Sequence, residues 1–219
     1  MIASADIIIP VYNSPQMLRL CLASVGAHTD TSLARVIIVL DGCDAHTTRL
    51  ARQWCDERPW ANIIERERNG GFIQACNTGF RASEADLAIL LNSDTCVTPN
   101  WVNKIIACFN SDPTIGVAST ISNFCPHNAI PILPGKGYLD MNRLIERLSE
   151  RRYPDITTPE GFCFAVSRTC LDRIGYLDPV FGKGYGEESD LSMRARYFGF
   201  RTVCVDDTYI FHHGRGTFG

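Results

Sequence analysis

One short apolar run limits the possible folds of this chain more than any other feature. Leu87 to Leu91 contains only apolar residues, and Asn92-Ser93-Asp94 follows it directly. Apolar runs of this length that end in polar turns are typical of buried strands in parallel sheets. Open α/β sheets bind their ligands at the carboxyl ends of such strands. The sequence therefore predicts an α/β fold with a ligand site beside residues 92–94.

The Asn92 and Asp94 side chains that follow this run are candidate metal ligands. They are one residue apart, and both carry the hard oxygen ligands that Mg²⁺ or Mn²⁺ prefers. Such an ion would be shared with a substrate diphosphate. The alternative is an ordinary Asx turn at the end of a strand, and the tripeptide alone favours that alternative.

The first half of the chain repeats a strand–helix pattern. Apolar, β-rich runs alternate with segments that have helical periodicity or a helix-starting residue such as Pro15. Strands are predicted at 6–11, 36–40, 62–66 and 87–91, and helices begin near residues 15, 45, 71 and 100. This order predicts a mostly parallel, helix-flanked, Rossmann-like sheet.

The pattern changes in the second half of the chain. Strands are predicted at 115–118 and 161–166, with a Pro- and Asn-rich loop after the first, and two short final strands at 202–205 and 209–211. Helices are predicted at 139–151, 168–174 and 187–198. We therefore divide the chain into a first half, 1–118, and a smaller structural part, 119–219, within one domain.

Length, charge and cysteine spacing exclude several classes of protein. A chain of 219 residues predicts one domain, with two as the alternative. A net charge of −3 gives no reason to expect nucleic acid or an anionic membrane as a partner. The ten cysteines are never closer than seven residues, which excludes CxxC zinc and redox motifs. Reduced cysteines, with no signal peptide or membrane-spanning run, predict a cytoplasmic protein.

Three common enzyme motifs are absent from the sequence. A Rossmann dinucleotide site needs GxGxxG after the first strand, but Pro10-Val11-Tyr12-Asn13 occupies that turn, which argues against NAD or FAD. The late Gly182-x-Gly184-x-Gly186 has the wrong spacing for that site. The sequence also has no P-loop Lys-Ser/Thr pair and no GxSxG nucleophile elbow.

Residues that can bind a nucleotide follow the first three predicted strands. The carboxyl ends of parallel strands share one edge of a sheet, so distant residues converge there. Tyr12 could stack on a nucleobase and Asp41 could accept its N–H; the alternatives are a packing aromatic and an ordinary turn residue. Backbone N–H groups at Asn69-Gly70-Gly71, where a helix begins, could hold a phosphate, although glycine there is also common turn chemistry.

Two adjacent glutamates and a histidine pair occur late in the chain. Glu187 and Glu188 begin a predicted helix, where the macrodipole alone favours acidic residues. Adjacent carboxylates also influence one another's pKa, which suits a general base. His212 and His213 follow a predicted strand, and they are either exposed polar residues or include one that completes the metal site.

Six short motifs occur in a recognisable order along nearly the whole chain. They are Ile8-Ile9-Pro10-Val11-Tyr12-Asn13, Val39-Leu40-Asp41-Gly42, Asn69-x-Gly71 with Asn77-x-Gly79, Leu90-Leu91-Asn92-Ser93-Asp94, Gly186-Glu187-Glu188-x-Asp190 and His212-His213-Gly214. No single motif is specific. Together and in this order, they resemble family 2 glycosyltransferases of the GT-A fold, especially the rhamnosyltransferase-like branch.

The resemblance implies an inverting transfer from a nucleotide-diphosphate sugar to an acceptor hydroxyl, assisted by Mg²⁺ or Mn²⁺. The diagnostic Asp-x-Asp metal motif of the family matches Asn92-Ser93-Asp94, so Asp94 is the main metal ligand, with Asn92 and His212 beside it. The Glu-Asp base motif matches Glu187-Glu188, which makes Glu188 the base and leaves Glu187 to orient the loop or the acceptor. Asp190 is the next candidate for the base. The residues implied in donor binding are Pro10, Tyr12, Asp41, Asn69, Gly71, Asn92 and Ser93.

The resemblance also implies a division of labour and an acceptor class. Residues 1–118 would bind the nucleotide sugar, and residues 119–219 would bind the acceptor and supply the base. A glycan or lipid-linked acceptor would place the protein in polysaccharide biosynthesis, with peripheral membrane association as an option. Because the chain ends soon after its last motif, a catalytic segment of a longer protein is one interpretation.

Two rival functions differ from sugar transfer in their products. A sugar nucleotidyltransferase usually has a Gly-rich, basic loop after its first strand, and Pro10-Val11-Tyr12-Asn13-Ser14 is not such a loop. A catalytically silent sugar-nucleotide-binding module is favoured only by Asn92, which stands where the family has Asp. Release of nucleoside diphosphate indicates transfer, release of pyrophosphate indicates nucleotidyl transfer, and release of neither indicates a binding module.

Overall fold

Eight strands form one sheet in the part of the chain that the computed structural model describes, residues 1–182 and 184–214. The predicted second half, 119–219, is therefore described except for residue 183 and its last five residues. The order across the sheet is β3-β2-β1-β4-β7-β6-β8-β5. The strands are β1 (Ala5–Val11), β2 (Ala34–Asp41), β3 (Ala61–Arg66), β4 (Leu87–Leu91), β5 (Thr95–Cys96), β6 (Ile115–Ser122), β7 (Cys163–Ser167) and β8 (Arg201–His212).

Helices cover both faces of the sheet. They are α1 (Pro15–His28), α2 (Ala45–Asp56), α3 (Phe72–Ala82), α4 (Trp101–Ser111), α5 (Tyr138–Leu148), α6 (Arg168–Ile174) and α7 (Glu187–Tyr197). Local sequence explains several starts: α1 begins with a proline, and the Asp44 side chain accepts the Thr47 N–H at 2.7 Å to cap α2. The predicted helix at 139–151 ends earlier, at Leu148, because the backbone of Ser149 is extended.

The first four long strands are parallel neighbours, which confirms the predicted parallel sheet. Val11 of β1 pairs with Leu40 of β2, and Ile8 pairs with Leu90 of β4. Each of these strands has a helix-length crossover to the next, as parallel pairing requires. The residues that follow β1, β2 and β4 therefore meet at one edge of the sheet.

The second half adds strands of mixed direction. β7 is antiparallel to both β4 and β6, whereas β6 and β8 are parallel. β6 extends to Ser122, so the predicted division at residue 118 falls inside a strand. The two final strands predicted at 202–205 and 209–211 are one continuous strand, β8. Its polar residues 206–208 stay in the strand because the pairing with β6 shifts there and Asp207 is buried beside Arg151, at 3.2 Å.

The sheet separates two apolar layers. Because side chains alternate along a strand, Ile7 and Ile9 pack with α1, α2 and α4, whereas Ile8 packs with α3, α6 and α7. All ten cysteines are free thiols and most of them are buried, as predicted for small core residues. Among the described helices, none combines the length and the apolarity needed to cross a bilayer.

Candidate active site

Asp94 and His212 lie side by side at the sheet edge where β4 and β8 end. β5 pairs antiparallel with the end of β8, with Thr95 opposite His212, and this pairing brings the two residues together. Asp94 Oδ1 lies 3.4 Å from His212 Nε2. Asp94 is only 3% exposed, and its Oδ1 has no hydrogen-bond partner among the described residues. A buried carboxylate oxygen without a partner is costly, so Oδ1 can be stabilised either by a protonated His212 or by a bound cation.

His212, and not His213, is the histidine that faces Asp94. The Phe162 ring stacks on the His212 ring, with 5.2 Å between the centroids. Burial lowers the pKa of His212, but Asp94, the Phe124 carbonyl and the charge of Glu160 together raise it, so the net pKa lies above the usual value. His213 points away, and its Nε2 lies 3.9 Å from Cys96 Sγ.

The spacing of the Asp94–His212 pair fits two neighbouring ligands of one divalent cation, and metal binding by this pair stays a prediction. Two neighbouring ligands at about 2.1 Å from an octahedral ion lie about 3 Å apart, close to the 3.4 Å between these two atoms. The described ranges contain no cluster of three or more His, Cys, Asp or Glu side chains that could hold a metal by itself. The remaining ligands would therefore come from a diphosphate or from water.

Asn92 is held by hydrogen bonds of its backbone. The Asn92 N–H donates to the Phe162 carbonyl at 2.8 Å, and the Asn92 carbonyl accepts the Thr95 hydroxyl at 2.7 Å. Ser93 is buried. Metal ligation by the Asn92 side chain and a donor contact by Ser93 stay predictions.

Glu187 and Glu188 begin α7, as the sequence predicts, and they face different neighbours. Glu187 is 4% exposed, and burial, followed by the charge of Glu188, raises its pKa to about 7. Glu187 lies beside Gly184, where a β-carbon would lie 3.9 Å from Glu187 Oε1. Glu188 is half-buried and faces Gly161, where a β-carbon would lie 3.5 Å from Glu188 Oε1. The Oε2 atom of each glutamate is buried without a hydrogen-bond partner among the described residues.

Asp190, the third acidic residue in the first turn of α7, has a side-chain partner of its own. Its carboxylate accepts a hydrogen bond from Arg194, one turn along α7, at 2.8 Å. Arg194 also donates to the Tyr176 carbonyl at 2.8 Å and so attaches α7 to the preceding loop. Asp190 thus has a structural partner, unlike the Oε2 atoms of Glu187 and Glu188.

The structure pairs Asp41 with the Asn69–Gly71 turn, two parts of the predicted donor site. Asp41 is 1% exposed, and its carboxylate accepts the N–H groups of Gly70 at 3.0 Å and Gly71 at 2.8 Å. It also pairs with Arg66 at 3.0 Å, and Asn69 Oδ1 accepts the Gly71 N–H at 2.8 Å. The carboxylate and these N–H groups therefore have partners within the chain, and donor contacts by Asp41, Asn69 and Gly71 stay predictions. The Asp41 carboxylate is itself the anion at the start of α3.

Tyr12 is the second residue predicted to contact the nucleoside. Tyr12 follows β1 and is half-buried, whereas Pro10 is buried inside β1. A donor contact by Pro10 stays a prediction. Asn13 Oδ1 accepts the Asp44 N–H at 2.8 Å and thereby joins the turns after β1 and β2. Tyr12 therefore lies beside the turn after β2, as predicted, and its stacking on a nucleobase stays a prediction.

Four residues of the site carry no functional signal in the sequence: Asn123, Phe124, Glu160 and Phe162. Asn123 and Phe124 contact His212 from the loop after β6, and Phe162 stacks on it from the residue before β7. Glu160 is buried and accepts two backbone N–H groups of the same loop. Loop residues have no periodicity, and only the placement of β7 between β4 and β6 brings these side chains to the site.

Comparison with known sequences shows what the chain is similar to. A family model described as Glycosyl transferase family 2 matches residues 6–175. An N-acetylglucosaminyltransferase of Sinorhizobium fredii (strain NBRC 101917 / NGR234) is 28% identical over 216 residues, which cover 93% of this chain and 51% of that protein. An N-acetylglucosaminyltransferase of Rhizobium leguminosarum bv. viciae is 27% identical over 216 residues, which cover 93% of this chain and 50% of that protein. The chain thus spans about half the length of the curated relatives it matches.

Solved structures share the fold at low sequence identity. The mannosyltransferase PcManGT from Pyrobaculum calidifontis, in complex with GDP-Man and Mn²⁺, superposes with a TM-score of 0.72 at 17% identity, over 98% of this chain and 58% of that one. GalNAc-T7 with UDP, GalNAc and Mn²⁺ gives a TM-score of 0.77 at 18% identity, over 96% and 44%. S. aureus TarS 1-349 in complex with UDP-GlcNAc gives a TM-score of 0.70 at 14% identity, over 97% of this chain and 60% of that one.

Proposed function

Because this chain belongs to glycosyl transferase family 2, we propose that it moves a sugar from a nucleotide-diphosphate sugar to an acceptor hydroxyl, with inversion at the anomeric carbon. It is a glycosyltransferase with the GT-A fold, as the sequence resemblance implies. The acceptor is proposed to be a glycan or a lipid-linked sugar. The rhamnosyltransferase-like branch stays a prediction, because both relatives described above are named N-acetylglucosaminyltransferases.

The observation that carries this proposal is the short connection between Glu188 and the Asp94–His212 pair. Glu188 Oε1 faces Gly161, and the next residue, Phe162, stacks on His212. A candidate base therefore lies close to a candidate diphosphate site at the same sheet edge. Displacement at an anomeric carbon needs this proximity, since the attacking hydroxyl and the leaving diphosphate must lie on opposite sides of one carbon.

In the proposed reaction, Glu188 accepts the proton of the acceptor hydroxyl as its oxygen attacks the anomeric carbon. The bond to the diphosphate breaks on the opposite face, so the configuration inverts. A divalent cation held by Asp94 and His212 would offset the charge that develops on the leaving diphosphate. Glu187, with a pKa of about 7, remains partly protonated at neutral pH and limits the negative charge beside Glu188. Tyr12 would stack on the nucleobase.

A panel of nucleotide sugars tests this proposal. UDP-GlcNAc, UDP-GalNAc, GDP-mannose and dTDP-rhamnose are each incubated with the protein, with and without Mn²⁺, and thermal shift reports binding to the native state. We expect one donor to stabilise the protein only with Mn²⁺ and to release nucleoside diphosphate when a suitable sugar acceptor is present. NMR of the product anomer tests inversion. Binding without release of nucleoside diphosphate would favour the silent binding module.

A further inference from the structure

His212 is held at its backbone by a side chain that is distant in sequence. The Asn123 amide nitrogen donates to the His212 carbonyl at 2.9 Å, and the Asn123 amide oxygen accepts the His212 N–H at 2.7 Å. These two bonds reproduce, with one side chain, the two-way pairing that a neighbouring strand would give. Asn123 therefore fixes the end of β8 at the point where His212 leaves the sheet.

The residue after Asn123 fixes the His212 ring. The Phe124 carbonyl lies 3.1 Å from His212 Nδ1. A carbonyl oxygen can only accept a hydrogen bond, so Nδ1 carries the proton of this contact. In the neutral ring, the lone pair then resides on Nε2, the atom that faces Asp94 Oδ1 at 3.4 Å. This is the tautomer that a cation between the two atoms needs.

The loop that carries these contacts has its own anchors. Buried Glu160 accepts the N–H groups of His127 at 2.7 Å and Asn128 at 3.1 Å. On the other side, the Phe124 ring covers Gly214, where a β-carbon would overlap the ring. The glycine of the His212-His213-Gly214 motif thus leaves room for Phe124. The loop has a defined position from which to orient His212.

We propose that Asn123 is a positioning residue for the metal site, which deepens the proposed function and rests on it. Asn123 holds the end of β8 in register with its own loop and so delivers the Phe124 carbonyl to His212 Nδ1. Without Asn123, the Phe124 carbonyl is no longer held at His212 Nδ1, so the ring can exchange tautomers while Phe162 still stacks on it. Loss of such outer-shell contacts typically lowers metal affinity by about 10–100-fold.

Two variants of Asn123 and one matched control test this inference in the intact chain. Asn123→Ala removes both hydrogen bonds to the His212 backbone, and Asn123→Asp keeps an acceptor but loses the donor. Asn128→Ala is the control, because it is the same substitution in the same loop and the Asn128 amide nitrogen has no hydrogen-bond partner among the described residues. The ¹⁵N NMR signals of the histidine rings, assigned with His212→Gln and recorded with the rings neutral, report the tautomer of His212. Mn²⁺ titration with UDP, and separately with GDP, reports metal affinity.

We expect His212 to be protonated on Nδ1 in the wild type and in the control, and to exchange tautomers in both Asn123 variants. Mn²⁺ affinity in the presence of nucleotide should fall by about 10–100-fold in these variants only. An unchanged Nδ1–H tautomer in both Asn123 variants would overturn the inference. If the wild type binds no Mn²⁺ with either nucleotide, the metal part of the proposed function fails, whereas the tautomer result still decides whether Asn123 positions His212.

Discussion

Substitution of Asp41 by asparagine separates two roles that the sequence leaves open for this residue. As a nucleobase contact, Asp41 would matter for donor affinity and little for folding. In the structure, its buried carboxylate instead binds the backbone of Gly70 and Gly71 and pairs with Arg66. Asp41→Asn keeps the size of the side chain and removes its charge, so its effect on stability measures the second role.

The contacts of Asp41 set the expected loss. Hydrogen bonds to a charged group contribute about 1.5–3 kcal/mol each, against about 0.5–1.5 kcal/mol for neutral pairs. Asparagine keeps one acceptor oxygen, but its amide nitrogen would face the N–H of Gly70 or Gly71 and leave it without a partner. We therefore expect the free energy of unfolding to fall by about 2–4 kcal/mol. For a chain of this length, that corresponds to a Tm lower by about 5–15 °C.

Circular dichroism during heating measures the Tm. Calorimetric titration of UDP or GDP with Mn²⁺, well below the Tm, measures nucleotide binding. Asp44→Asn is the control: it makes the same change of charge in the same turn, and asparagine caps a helix as well as aspartate does. Its Tm should stay close to that of the wild type. The reasoning is refuted if Asp41→Asn leaves the Tm unchanged and abolishes nucleotide binding, since that result would show that Asp41 contacts the nucleobase.

The remaining predictions concern the other acidic residues of the site. Asp94→Ala should remove the Mn²⁺-dependent part of nucleotide binding in calorimetry, because Oδ1 is the proposed ligand, while the control His213→Ala should retain it; equal affinity in both variants would contradict the metal assignment. Glu188→Gln should lower the transfer rate by about 10²–10⁴-fold at unchanged donor affinity, and near wild-type turnover would place the base elsewhere. Glu187 binds its proton more tightly in the folded state, so the protein loses stability as the pH rises from about 4.5 to about 7. Glu187→Gln should thus raise the Tm at pH 8 but not at pH 4, and equal shifts at both pH values would show that burial does not perturb this carboxyl.

The sequence predicts the strand ends well because apolar runs and polar turns are local signals. The run that ends before Asn92 is β4, and the run that ends before Asp41 is β2. From these positions and the rule that parallel strands share an edge, the neighbourhood of Tyr12 and Asp41 follows. The glutamates that begin α7 were also predictable, because acidic residues favour the first turn of a helix.

What the sequence could not predict is how polar groups are paired. Asp41 and the N–H groups of Gly70 and Gly71 each look like ligand sites in isolation, yet they bind one another. Nothing local distinguishes a carboxylate that awaits a ligand from one that has a backbone partner. The same limit applies to Asn123, whose partner is 89 positions away. Pairing over such distances depends on strand order, and the antiparallel insertion of β7 has no local signature.

The pairing of β5 with β8 has a consequence for the order in which the chain folds. Cys96 and His213, neighbours across this pairing, are 117 positions apart along the chain. Closing so long a loop costs chain entropy that only later contacts offset, and contacts between distant segments form slowly. The proposed metal ligands Asp94 and His212 are therefore brought together only when β8 has joined the sheet.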